Sequence, residues 1–141
     1  MIHIFSPAKD LIAVQNILIA DNELLQLMNL STANLSTKLQ KIITESRWRD
    51  LAAPEIRLCI YFIPSRQTRN DLFIEDVVQV ECHVPATQGI LAYRVMERVF
   101  KLLHKKDINC RRLYFYNQLG ELPTADGFFC AGSRFNCYTK I

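Results

Sequence analysis

The chain has 141 residues, of which 50% are hydrophobic and 22% charged, and its formal net charge is +3. This balance predicts one globular domain over residues 1–141 and excludes both a disordered chain and an apolar run of membrane-spanning length. The first residues lack the basic start and apolar stretch of a signal peptide, so we expect synthesis without export. The five cysteines form no C-x-x-C pair and are predicted to be reduced, buried thiols.

Residues 1–46 are predicted to form a helical lead-in or arm. Ser6-Pro7 is typical of an N-cap followed by proline at the first helical position, and predicts a helix that runs to about Ala20. Asp21 or Asn22 can then cap a second short helix, which is dense in leucine.

A weaker third helix, or an extended arm, is predicted from Leu35 to Glu45. Its serine and threonine side chains compete for backbone hydrogen bonds and so weaken the helical pattern. Trp48 follows between two arginines. It either anchors this arm on the sheet or contacts a partner.

Residues 55–141 are predicted to form a ββαββ core. The first strand is Glu55 to Ile63, in which apolar residues alternate with more polar ones. Pro64 to Asp71 breaks this alternation and predicts a polar hairpin loop. The second strand is Leu72 to Val84, and Pro85 ends it because proline cannot donate to a strand ladder.

The longest helical pattern in the chain is Thr87 to Lys106. Its apolar residues recur at steps of three or four and therefore share one face. This stripe consists of Leu91, Val95, Val99, Leu102 and Leu103. The other faces are mainly basic, so the helix is predicted to cover the sheet with one side and to leave a basic side exposed.

The third strand is predicted from Cys110 to Gln118, followed by a loop from Leu119 to Asp126 and a fourth strand from Gly127 to Thr139. Gly132-Ser133 within the fourth strand predicts a bulge or a close backbone approach. The predicted fold class is α+β. It comprises N-terminal helices followed by the ββαββ core, whose four-stranded, mainly antiparallel sheet is packed by helices.

No segment carries the signature of an enzyme or of a cofactor site. The four glycines form neither a P-loop nor a G-x-G-x-x-G turn, and the histidines lie far apart. Cys82 and His83 are neighbours on a strand and point to opposite faces, so they cannot share a metal there. We therefore expect no catalytic residues, no cofactor and no metal site. No nucleic-acid-binding motif is present either, which leaves only weak, non-specific contact with DNA.

The charges are unevenly distributed. Seven Lys or Arg residues lie between Arg94 and Arg112 against two acids, whereas Asp71 to Glu81 holds four acids and no base. Opposite charges on two flanks of a subunit suit head-to-tail self-association. Solvated charged faces are the alternative interpretation.

Four segments, RLCIYFIPSRQTRN, HVP, LGELPT and GFFCAGSRF, resemble the tail terminator (tail completion) proteins of long-tailed phages and prophage tail-like particles. The resemblance implies a structural, non-enzymatic protein that forms a homohexameric ring on the tail tube and ends tube polymerisation. The ring would contact the tail tube protein, head completion or neck proteins and, in a contractile tail, the last sheath ring. In a headless particle it would be a collar. This implies assembly in the bacterial cytoplasm, a place at the head-proximal end of the virion tail, and no membrane partner.

The resemblance also suggests where contacts would lie. The basic candidates for the subunit interface are Arg94, Arg98, Lys101 and Lys105. The acidic candidates for the opposite flank are Glu75, Asp76 and Glu81. Exposed loops on a rigid sheet often carry recognition, so two loops are candidates for tube or head contacts. Their residues are Arg66, Gln67, Thr68, Arg69 and Asn70, and Glu121, Leu122, Pro123 and Thr124. Solvated turns are the alternative for each loop.

Two other functions stay open from the sequence. A head-tail connector or stopper of the neck is the first, although stoppers are expected to be richer in β-barrel pattern. A small α+β ligand-binding or regulatory domain is the second, and it predicts a concave apolar pocket.

Overall fold

The computed structural model describes residues 6–67, 73–109 and 111–140, and its fold is α+β, which confirms the predicted class. The helices are α1 (Pro7–Ile19), α2 (Asn22–Leu27), α3 (Leu35–Lys41) and α4 (Gly89–Leu103). The strands are β1 (Ile42–Ile43), β2 (Arg57–Gln67), β3 (Phe73–Pro85), β4 (Asp107–Ile108), β5 (Arg111–Arg112), β6 (Tyr114–Leu119) and β7 (Phe128–Lys140).

The main sheet has five strands in the order β1-β2-β3-β7-β6. All neighbours are antiparallel except β1, which runs parallel to β2 and pairs Ile42 with Leu58 and Ile43 with Cys59. The sequence predicted a weak helix or an extended arm at Ile42 and Ile43, and the structure has an extended strand there. Both are buried, β-branched residues, and pairing with β2 satisfies their backbone while it covers their side chains.

β2 extends past the predicted strand end at Ile63 into the predicted hairpin loop, as far as Gln67. Its backbone pairs Arg66 with Glu75 and Gln67 with Ile74, after an irregularity between Ile63 and Arg66. Pro64 is tolerated here because β1 pairs only with Leu58 and Cys59, so this stretch of β2 lies at the sheet edge. The rest of the predicted loop, residues 68–71, lies outside the described residues.

α4 confirms the predicted central helix, although a 3-10 turn over Ala86–Gln88 takes its first residues. The buried residues of α4 are Ala92, Val95, Met96, Val99 and Leu103. Leu91 and Leu102 are half-buried at the margins of this stripe. The helix packs against β3 and β7, so it covers the centre of the sheet.

The predicted third strand is interrupted at Leu113. The amide of Lys105 donates to the Leu113 carbonyl (2.7 Å), and the Leu113 amide donates to the Lys106 carbonyl (2.9 Å). The backbone of Leu113 is thus held by the turn after α4, and its side chain is fully buried. β5 therefore pairs with β4, and only β6 joins the main sheet beside β7.

The N-terminal helices pack on the same side of the sheet as α4. One cluster of buried apolar side chains includes Val14 of α1, Leu24 of α2, Leu58 of β2, Val99 of α4 and Phe135 of β7. The predicted caps are confirmed, since Ser6 accepts from the Lys9 amide and Asp21 from the Leu24 amide. Among the helices of the described residues, none has the length and apolar character required to cross a membrane.

Candidate functional site

The basic side of α4 divides into exposed and engaged side chains. Arg94, Lys101 and Lys105 are exposed. Arg98 is instead held within the subunit, with Nη1 2.9 Å from Glu23 Oε2 and Nη2 2.7 Å from Asp21 Oδ1. Of the four basic interface candidates, three therefore present their charge to solvent or to a partner.

The acidic candidates are buried, which corrects the expectation of an exposed acidic strand. Glu75, Asp76 and Glu81 are 7%, 4% and 5% exposed. They lie on β3, the central strand of the sheet, whose two faces are both covered. Because a buried carboxylate must be paired, each of the three has partners within the same chain.

On the core side of the sheet, Arg111 lies between two carboxylates. It bonds to Asp10 of α1 and, through Nη1 at 2.7 Å, to Asp76 of β3. Asn109 donates to the other Asp10 oxygen at 2.9 Å. Burial opposes the charge of Arg111, but its hydrogen bond to Asp76 and the charges of both acids keep its pKa above the ordinary value. This cluster joins α1, β3 and β5.

On the opposite face of the sheet, Glu81 is the centre of a polar cluster. Its Oε1 accepts hydrogen bonds from the Tyr61 hydroxyl and from Gln79 Nε2, the latter at 2.6 Å. Burial opposes ionisation of Glu81, yet hydrogen bonds from His83, Tyr61 and Gln79 outweigh it and lower the pKa of this carboxyl. Burial, with the Glu81 charge, raises the pKa of the Tyr61 hydroxyl. Glu81 is thus a buried carboxylate whose orientation is fixed by its hydrogen bonds.

His83 brings two other polar side chains to Glu81. Its Nε2 is 3.2 Å from Glu81 Oε2 and 3.6 Å from Cys130 Sγ, and its Nδ1 is 2.7 Å from Thr124 Oγ1. The half-buried ring of Trp48 stacks near His83, with centroids 6.4 Å apart, which favours the predicted anchoring role of this tryptophan. Glu81, His83 and Cys130 together form a group of possible metal ligands.

In the sequence, the thiol next to His83 is that of Cys82, and no local pattern connects His83 with Cys130. The β3–β7 register pairs His83 with Cys130, so the two side chains share a face, whereas Cys82 points into the core. The available signal was the spacing of Glu81 and His83, which places both on one side of a strand. The thiol came from a distant strand whose register the sequence does not reveal.

The two predicted contact loops differ in what the structure describes. In the loop between β6 and β7, Glu121 and Pro123 are exposed, whereas Leu122 and Thr124 are half-buried. The Leu122 amide donates to the Cys130 carbonyl at 2.9 Å, so this loop is pinned to the sheet. In the other predicted contact loop, the backbone of Arg66 and Gln67 belongs to β2. The side chains of these two residues, and all of Thr68, Arg69 and Asn70, lie outside the described part of the chain.

An open apolar groove lies between α4 and the edge strand β6. It encloses about 480 Å³. It is lined by Tyr93, Met96, Glu97, Phe100, Lys101, Phe115 and Gln118. The sequence places these residues in the predicted helix Thr87 to Lys106 and the predicted strand Cys110 to Gln118, but it does not show that they lie together. The groove arises because α4 covers β3 and β7 more fully than β6.

No family model matches the chain, and no curated protein matches it by sequence. A solved structure does match: a chain of the "Virion of native gene transfer agent (GTA) particle". The superposition has a TM-score of 0.64 at 14% sequence identity and covers 98% of this chain and 100% of that one. The two chains therefore share a fold over essentially their whole lengths.

Proposed function

We propose that this chain is a structural protein of a phage-like particle and, within that class, a tail terminator. The observation that carries the proposal is the fold likeness to a gene transfer agent virion chain, which extends over nearly all of both chains. The resemblance of four sequence segments to tail terminator proteins favours a position at the end of the tail tube. Because one fold can serve many functions, the role of this chain depends on the surfaces that it presents to other proteins.

In this role, six copies form a ring at the head-proximal end of the tail tube. The ring ends tube polymerisation and offers a surface to head completion or neck proteins. In a contractile tail it also contacts the last sheath ring. In a headless particle it is a collar. The action is surface complementarity and requires no bond chemistry. The particle would be assembled in the cytoplasm of the host bacterium, and DNA passing through the ring would meet only non-specific contacts.

The edge of the sheet supports a contact between copies. β6 is the last strand of the main sheet, and its Tyr114 and Tyr116 are 41% and 48% exposed. The groove beside it adds Tyr93 and Phe100, which are 36% and 39% exposed. Exposed aromatic side chains around an open strand edge are typical of a surface that another chain covers. We assign this surface to the neighbouring copy in the ring.

Charge supports a head-to-tail arrangement of the copies. Lys101 lines the groove and Arg94 is exposed on the same helix, while Glu121 and Asp126 are exposed on the β6–β7 loop. In a heterologous ring interface, the basic side chains of one copy can meet these loop carboxylates of the next. In this arrangement the exposed acids of the β6–β7 loop, and not the buried acids of β3, form the acidic side of the subunit interface.

The groove also favours a second candidate function, a small-ligand-binding or regulatory domain. An apolar concavity of about 480 Å³ has the size of a small-molecule site. A ligand-binding domain would fill the groove with a ligand, whereas a ring subunit would fill it with a neighbour. A head-tail connector or stopper is the alternative within the same particle.

The test is the distribution of tail-tube lengths, measured by negative-stain electron microscopy of particles made with and without the gene. A terminator predicts overlong tubes of mixed length when the gene is absent, with restoration by the gene supplied in trans. Tubes of normal length that fail to join heads would favour the connector. Unchanged, fully assembled particles would contradict a structural role and turn attention to ligands of the groove.

A further inference from the structure

We propose that Glu81, His83 and Cys130 bind a divalent transition-metal ion of the Zn²⁺ type on the face of the sheet opposite α4. Glu81 and His83 lie two residues apart on β3, and Cys130 is the register partner of His83 on β7. Their side chains are 7%, 0% and 0% exposed. The site would join two central strands of the sheet.

The two distances from His83 Nε2 to the other donor atoms match those of a tetrahedral metal site. Metal–ligand bonds of about 2.0 Å to oxygen or nitrogen and 2.3 Å to sulfur place two ligands of a tetrahedron roughly 3.3–3.6 Å apart. His83 Nε2 lies 3.2 Å from Glu81 Oε2 and 3.6 Å from Cys130 Sγ. The three donor atoms lie within 4.8 Å of one another and so form one group of possible ligands.

The surrounding hydrogen bonds orient the donors as in a metal site. Thr124 Oγ1 lies 2.7 Å from His83 Nδ1, so this hydroxyl can accept the Nδ1 proton and leave Nε2 as the ligand. Tyr61 and Gln79 both donate to Glu81 Oε1, which leaves Oε2 directed at His83. Each ligand that needs a fixed orientation therefore has an outer partner that supplies it.

The donor set selects the class of metal. One thiolate, one imidazole and one carboxylate suit Zn²⁺ or Co²⁺ and are a poor match for Mg²⁺ or Ca²⁺, which prefer oxygen ligands. Metal binding replaces the thiol proton of Cys130, which passes to solvent. Cys59, opposite Glu81 in the β2–β3 register, brings a further thiol to this face, and the ring of Trp48 stacks near His83.

The sequence-based expectation of no metal site rested on the wide separation of the histidines and on Cys82, whose side chain is in the core. The proposed site uses a thiol from another strand and is independent of ring assembly. It would stabilise the sheet face that carries the β6–β7 loop, because Thr124 of that loop is hydrogen-bonded to a ligand.

The experiment is a titration of the full-length protein with Co²⁺ after chelator treatment, under reducing conditions. A thiolate–Co²⁺ charge-transfer band in the near ultraviolet, saturating at one ion per chain, is the expected result. Competition with Zn²⁺ should remove the band, and excess Mg²⁺ should not. The absence of a stoichiometric thiolate band in the wild-type protein would overturn the proposal without recourse to any variant.

Variants identify the ligands. Cys130→Ser should abolish the thiolate band, and Thr124→Val should weaken Co²⁺ binding by about tenfold or more through loss of the outer hydrogen bond. Cys82→Ala is the matched control, since it removes a buried thiol adjacent to His83 on the opposite face. A band that persists in Cys130→Ser, or that disappears in a folded Cys82→Ala protein, would reject the assigned ligands.

Discussion

Arg98 of α4 donates two hydrogen bonds to the carboxylate of Asp21, with Nε 2.8 Å from Oδ2 and Nη2 2.7 Å from Oδ1. The same Oδ2 accepts the amide of Leu24 at 2.9 Å and thereby caps α2. One carboxylate thus both starts α2 and fixes it to α4. The hydrogen bond from Arg98 is the main reason that the pKa of Asp21 lies below its ordinary value.

Replacing Arg98 with alanine should lower the urea midpoint of unfolding at neutral pH. Because the folded-state pKa of Asp21 is lowered, its stabilisation is complete above the ordinary value of 3.8 and is lost as the pH falls through the folded value. The difference in midpoint between wild type and Arg98→Ala should therefore shrink below about pH 4. Arg94→Ala is the control, since Arg94 is exposed on the same helix.

Equal midpoints for Arg98→Ala and Arg94→Ala at neutral pH would show that the Asp21 contact does not contribute to stability. Arg98 would then be available for contacts between subunits, like the exposed basic side chains of α4.

Two adjacent arginines should differ greatly in their effect on folding. Arg111→Met leaves the buried carboxylates of Asp10 and Asp76 without their shared cation, and we expect a loss of about 3–5 kcal/mol in the free energy of unfolding. Arg112→Met removes only an exposed bridge to Asp107 and should change little. Urea denaturation of both variants is the measurement, and similar losses for the two would contradict the assigned difference.

Gly132 should resist substitution because two neighbouring groups approach its backbone. A Cβ atom at this position would lie 2.9 Å from the Val80 carbonyl oxygen and 3.0 Å from Leu122 Cδ1. Gly132→Ala should therefore cost about 1–3 kcal/mol in thermal or urea unfolding, as overpacking does. A Cβ at Gly120 meets no atom within 4 Å, so Gly120→Ala should be tolerated. An unaffected Gly132→Ala protein would mean that the sheet and the loop move apart at little cost.

The buried thiols should make the fold sensitive to alkali. Burial raises the pKa of Cys59 from 9.0 to about 11 and that of Cys137 to about 12. A raised folded-state pKa stabilises the protein below the ordinary value, and this stabilisation is lost as the pH rises towards the folded value. The urea midpoint of the metal-free protein should fall between pH 9 and about 11. Cys59→Ser should flatten this decline, and an identical slope in that variant would assign it to other groups.

The groove should be required for assembly and dispensable for folding, if the proposed ring is correct. Tyr93→Glu places a charge where the neighbouring copy would pack and should prevent tube capping, so that overlong tubes appear. Ile12→Glu, on α1, alters a side chain that is 52% exposed and should leave tube length unchanged. Unfolding midpoints close to wild type would establish that both variants fold. Normal tubes with Tyr93→Glu would exclude the groove as the contact between copies.

Local chemistry in the sequence determined most of the helices and strands. Ser6-Pro7 predicts the start of α1 because the cap and the proline act within one turn, and Asp21 predicts α2 for the same reason. The apolar spacing of α4 identified the helix that covers the sheet. These signals depend on residues that are close in sequence, so they can be recognised without knowledge of the fold.

The tertiary structure decided what depends on strand pairing. Pro64 is accommodated in β2 because the sheet ends there, and Glu81 is buried because β3 is central; neither fact is visible in the local pattern. His83 and Cys130 are 47 residues apart and meet only through the register of β3 with β7. Register and sheet order are set by the packing of the whole chain. The sequence alone therefore determined most of the elements, and their long-range arrangement created the buried polar cluster and the open groove.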